Sequence, residues 1–304
     1  MRVFLAGATG ALGRPTTRAL VAAGHQVRGV GRGSAKADVV RADGGEPVEV
    51  SLFDTRALRS AMEGCDAVLH FATKVPAAVR ITRRNGAEND RLRRNASRCL
   101  VDAALAAGSA VYVQESVFFL YSDGGDTWLE EDAPFHTSWL NDSALDAERE
   151  TARFASGGRR GVSLRFGAFY APYARSTVDT ARLARRGLFP VLGTGAQFLS
   201  SINVDDAATA AVASLDVESG VYNVVDDEPL RFREYVEVVG SSLGVTQRLR
   251  LPTWLTKAAF GEASHIFLTS RRVSNRRFRA AADWRPRATS ARHELPAVLR
   301  GIFG

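Results

Sequence analysis

The chain has 304 residues, 45% of them hydrophobic, and a formal net charge of +7. This length and apolar content fit one large domain or two close ones and exclude a disordered chain. No apolar run reaches the length of a membrane span, and the opening MRVFLAGATG has neither the length nor the cleavage pattern of a signal peptide, so a cytoplasmic protein without a membrane partner is expected.

The positive charge is nearly all arginine, with one denser run, RRVSNRRFR (271–279), read as a solvated basic surface or, as the alternative, a patch that helps bind a phosphate-bearing ligand. No zinc-finger or RNA-recognition signature accompanies it, so no nucleic-acid partner is expected. Cys65 and Cys99 lack metal-like spacing and read as small core residues. No metal site is expected.

In chain order, RVFLA (2–6) reads as a buried strand and ALGRPTTRALVAAG (11–24) as a helix ending at Gly24. HQVRGVGR (25–32) and PVEVSL (47–52) read as strands two and three, followed by a helix over 55–64. DAVLHFA (66–72) is a fourth strand, and 89–108 reads as one long helix with Leu92, Ala96, Cys99, Leu100, Ala103 and Ala104 on one face. AVYVQES (110–116) and GVSLRFG (161–167) are strands five and six. Strands alternating with helices predict an α/β fold, a Rossmann-type doubly wound parallel sheet whose ligands lie beyond the strands' carboxyl ends. The second half is less regular, with a short strand at 220–225 and a helix at 231–244. The expected division is a dinucleotide-binding domain over 1–167 and a mostly substrate-binding lobe over 168–304, with some segments returning to the sheet.

AGATGALG follows the first strand and opens the first helix. Gly7, Gly10 and Gly13 supply the tight turn and close backbone approach that a pyrophosphate needs, and the helix N-terminus adds free N–H groups. The whole loop, including Thr9, Ala11 and Leu12, is therefore a candidate cofactor site. The second strand ends in Gly31 and Arg32 with no acidic residue, which favours the 2′-phosphate of NADP over NAD; Arg14 and Lys36 are possible helpers.

These stretches, with SLFD (51–54), DAVLHFAT (66–73), YVQES (112–116), LRFGAFYAP (164–172) and SSINVDDAATA (200–210), resemble the extended and atypical short-chain dehydrogenases/reductases, the NAD-dependent epimerase/dehydratase family. The likeness covers nearly the whole chain. It implies that Asp54 and the backbone of Phe53 contact adenine, that His70, Phe71, Ala72 and Thr73 line the cofactor, and that Ser116 is the active-site serine. It further implies that Tyr170, Ala171 and Pro172 close over the nicotinamide, and that the protein is a homodimer through the helices at 89–107 and 140–156.

The same resemblance implies a tyrosine and, four residues later, a lysine that perform the proton chemistry. This chain has no Tyr-x-x-x-Lys, and no lysine at all between Lys74 and Lys257. If Glu148 is the glutamate that often follows the lysine by four, Leu140 and Ala144 stand in the pair's place. Three readings follow. The first is a reductase of a carbonyl, imine or conjugated double bond in a small organic substrate, with Tyr121 as substitute proton donor and His136 or Ser143 behind it. The second is a non-redox cyclase, dehydratase or isomerase using Asp142, His136 or Glu115. The third is an NADP-sensing binding protein. Trp254, Phe260 and Phe267 are available to line a substrate pocket.

Overall fold

The structure, a computed structural model, describes residues 1–76 and 80–303. The first half alternates as expected. β1 (Arg2–Ala6) leads to α1 (Gly13–Ala22), β2 (Gln26–Val30) to α2 (Ser34–Ala42), β3 (Glu46–Val48) to α3 (Thr55–Ala61), and β4 (Ala67–His70) follows. Helix α2 was not foreseen, because SAKADVVRA carries too few apolar residues to show a period and buries only Val40. Asp54 starts α3 by accepting the Ala57 N–H at 3.0 Å.

The expected helix over 89–108 begins earlier and is broken in register. α4 (Arg83–Arg91) passes through a π turn at Leu92–Ala96 into α5 (Ser97–Ala107). The extra residue of the π turn carries Arg93 inward, 3% exposed, onto Glu115 at 3.2 Å. β5 (Val111–Val117) is buried along its whole length, and α6 (Asp142–Ala155) packs on it.

All seven strands of the main sheet are parallel, in the order Gly220–Val224, Arg160–Phe166, β5, β4, β1, β2, β3. Gly220–Val224, read above within the less regular half, is thus an edge strand of this sheet. The chain winds one way from β1 to β3 and the other way from β4 onward. The switch point, where open α/β sheets take ligands, lies between β1 and β4. One apolar core fills each face of the sheet: Leu5, Leu69, Leu164 and Ile202 on one side, Phe4, Leu58, Leu100 and Tyr112 on the other. Burial on both faces explains the near-continuous apolar strands.

The remaining segments form paired strands of two or three residues and short helices beside the sheet. The basic run at 271–279 is only partly surface. Arg271 is fully buried and Arg272 half-buried, while Arg276 and Arg277 are exposed. Among the described residues no helix is long and apolar enough to cross a membrane, and no group of three or more His, Cys, Asp or Glu side chains is placed to hold a metal.

Candidate active site

The glycine loop sits at the switch point. Gly7 has φ +94°, and a Cβ there would lie 2.6 Å from the Ala72 nitrogen and the Phe71 carbonyl carbon. A Cβ on Gly13 would lie 2.0 Å from the Gly7 oxygen. The loop is therefore drawn against both the end of β4 and the start of α1 so tightly that only glycine fits. Thr9 is half-exposed and Gly10 and Ala11 are exposed, so their backbone faces an accessible groove. This cradle fits a dinucleotide's diphosphate.

Around it, Arg32 and Lys36 are exposed at the end of β2 and the first turn of α2. The Gly33 N–H that opens α2 donates to the exposed Glu49 carboxylate at 3.2 Å. Arg14 is held elsewhere: Asp43 takes its guanidinium at 2.8 Å and also pairs with Arg18. Asp54 is exposed, and the Arg91 guanidinium lies 3.9 Å from the centre of the Phe53 ring. His70 is buried, its ring nitrogens near the Leu92 oxygen and the Ala72 N–H at 3.4 Å each. Burial pushes its pKa down to about 4, so it is a neutral spacer at the end of β4.

At the end of β5 the expected catalytic hydroxyls lie in a buried hydrogen-bond network. Ser116 is 0% exposed and donates to Glu148 at 2.6 Å. Glu148 is gripped by Arg165 through two hydrogen bonds of 2.8 Å. Arg165 in turn donates to the Tyr121 hydroxyl at 2.8 Å and to the Glu131 carbonyl at 2.9 Å. Tyr121, also 0% exposed, donates to the Asn223 side-chain oxygen at 2.7 Å, and burial pushes its pKa up to about 12. This network ties β5, α6 and the strands Arg160–Phe166 and Gly220–Val224 together. Neither hydroxyl reaches a surface, and both are held by partners within the protein. Glu115 likewise faces Arg93 inside the protein, and burial raises its pKa. Ser143 donates to Asp90 at 2.7 Å.

Next to Ser116, Val117 clusters with Leu120 and Ala144, with Phe119 and Leu145 packed alongside. If Glu148 is the family's glutamate, Ala144 stands in the lysine's place, and that place belongs to a buried apolar floor. His136 is exposed and fastened between that floor and α6. Its N–H donates to the Leu120 oxygen at 2.9 Å, and its carbonyl accepts from Asn141 at 2.7 Å.

His136 stacks on His265, ring centres 4.0 Å apart, and His265 meets Arg271. Sequence reasoning found neither partner, since both lie more than a hundred residues away. Arg165 and Val117 were legible only weakly, as a charge within an apolar strand and as the residue beside a candidate serine. Tyr170, which ends the short strand Ala168–Tyr170, and Ala171 are buried, and Pro172 is exposed. Trp254 is 70% exposed, while Phe260 and Phe267 pack on each other at 5.1 Å.

Residues 7–156 match the NAD(P)H-binding family. Over 97% of its length the chain is 33% identical to a 3-diazoavenalumate denitrifying reductase of a Streptomyces species, covering 99% of that protein. It is 30% identical to an epimerase family protein of Mycobacterium bovis, with 86% of this chain and 85% of that one aligned. The fold is similar to that of human epimerase family protein SDR39U1, solved with NADPH, at TM-score 0.83 and 23% identity over 99% of both chains.

Proposed function

The chain belongs to the extended and atypical short-chain dehydrogenases/reductases, the NAD-dependent epimerase/dehydratase family, and on that premise we propose that it is an NADP-dependent reductase of an acceptor that needs no proton from the protein. The observation that carries this is the apolar floor of Val117, Leu120 and Ala144. A carbonyl becomes an alkoxide on reduction and calls for an acid beside it. An aryl diazonium does not. When bound, the nicotinamide supplies hydride, which such an acceptor takes at its ring carbon as dinitrogen leaves, so atoms and charge balance without a proton. The relative named for denitrifying a diazo compound supports this acceptor class. An iminium, which also accepts hydride without a proton, is the next best fit.

The chain's own residues then have simple tasks. Gly7, Thr9, Gly10, Ala11, Leu12 and Gly13 hold the diphosphate against α1, and Arg32 and Lys36 receive the 2′-phosphate. Phe53 and Asp54 flank the adenine. Phe71, Ala72, Thr73, Tyr170 and Pro172 border the nicotinamide side. The apolar floor excludes water, which protects a reactive electrophile from hydrolysis. The test is incubation of the protein with NADPH deuterated at the transferable position and a benzenediazonium salt. Protein-dependent appearance of deuterium at the ring carbon that held nitrogen is expected. Protein-dependent reduction of ketones, with no such transfer to the diazonium, would overturn the assignment.

A further inference from the structure

Arg271 is a buried cation without an anion. It is 0% exposed, and each of its recorded partners is neutral: the Tyr121 oxygen at 2.8 Å, the Ile266 oxygen at 3.2 Å, the His265 oxygen at 3.4 Å and the His265 Nδ1 at 3.1 Å. Among the described residues no carboxylate forms an ion pair with it; Asp123 is the one acidic side chain close enough to influence it. Every other deeply buried arginine described here, Arg93 and Arg165, has a glutamate. Burial of an unpaired charge is expensive, so this guanidinium calls for a reason.

The contact to His265 supplies one. A guanidinium only donates, so Nδ1 must accept, and the proton of the neutral ring sits on Nε2. His265 is half-buried, and burial, with Arg271 as the second cause, keeps it neutral, its pKa pushed down to about 4. The exposed His136 ring stacks on it at 4.0 Å and fixes its plane. The result is an N–H donor of set direction, backed by a full positive charge, and joined through His136 to Leu120 of the apolar floor.

We propose that His265, oriented and polarised by Arg271 and flanked by His136, anchors a carboxylate on the acceptor. One buried positive charge balances one negative charge, which favours a carboxylate over a dianionic phosphate. The inference rests on the reductase reading only in placing an acceptor over that floor. Arg271 is a positioning residue in it, since it is out of reach of a ligand.

The test is calorimetric titration of the protein, with NADP⁺ present, using trans-cinnamate, its neutral amide and phenyl phosphate. Cinnamate is expected to bind about tenfold or more tightly than the amide. His265→Phe and Arg271→Gln should abolish that ratio, while His265→Gln, which keeps an N–H donor, should restore part of it. A general loss of fold in Arg271→Gln would lower both affinities together, so the ratio separates anchoring from structure, and His265→Phe gives an independent reading. Equal affinities for acid and amide, tighter binding of phenyl phosphate, or no heat from any probe at millimolar concentration would overturn the proposal. Equal affinities alongside intact deuterium transfer would sink the anchor alone. A retained preference without transfer would sink the reductase reading alone.

Discussion

Replacing Tyr121 by Phe separates a structural hydroxyl from a catalytic one. The hydroxyl donates to Asn223 at 2.7 Å and accepts from Arg165 at 2.8 Å. Its removal leaves the Asn223 oxygen buried without a partner, on an amide whose nitrogen is already unpaired. Such a group costs about 1–3 kcal/mol. Arg165 keeps both bonds to Glu148 and the one to the Glu131 carbonyl, so the larger cost of about 3–5 kcal/mol for a broken buried ion pair does not arise. The ring still packs on Phe135 at 5.8 Å. The sum is about 2 kcal/mol, or a fall in Tm of roughly 3 °C for a chain of this size. Ser116→Ala removes one hydrogen bond to a carboxylate that Arg165 still holds, and should cost about 1.5 kcal/mol. In both variants kcat should stay within about threefold of wild type, whereas loss of a general acid costs about 100-fold or more. The assays are thermal unfolding and NADPH-dependent turnover on the same preparations. A fall in kcat of about 100-fold with an unmoved Tm in Tyr121→Phe would make that tyrosine the proton donor and refute the aprotic floor.

Two further outcomes follow from the site. Arg32→Ala should weaken NADPH binding about tenfold and leave NADH binding unchanged, measured by nucleotide fluorescence, because the arginine meets only the extra phosphate; an equal loss for both nucleotides would take Arg32 out of that role. Acid should destabilise the fold through His70, whose pKa is about 4 when folded against 6.5 in the reference state. The unfolded chain takes up the proton first, so this stability is full above pH about 6.5 and falls as pH drops toward 4, by about 1.4 kcal/mol per pH unit once well below 6.5. Denaturant unfolding of wild type and His70→Gln from neutral to mildly acidic pH would measure it, and parallel curves for the two proteins would contradict it.

The amino-acid sequence alone determined whatever depends on local pattern. Apolar strands spaced by helical periods specified a parallel sheet. Gly7, Gly10 and Gly13 marked the nucleotide loop, because a Cβ at Gly7 or Gly13 would lie within 2.6 Å of neighbouring backbone, where no side chain fits. The absence of a lysine between Lys74 and Lys257 excluded the usual proton relay. Tertiary structure decided what depends on which side a residue faces and on what meets it from far along the chain. One position separates Ser116 from Val117, yet the first enters a buried hydrogen-bond network and the second an apolar cluster. The π turn that brings Arg93 to Glu115 is a register shift within a helical pattern, invisible to periodicity. Arg271, part of a basic run that looked solvated, is buried because Tyr121, 150 positions away, and His265 close around its guanidinium. The sign and spacing of charges are written in the chain, but whether a charge is solvated, paired or left waiting for an anion is settled only by the packing around it.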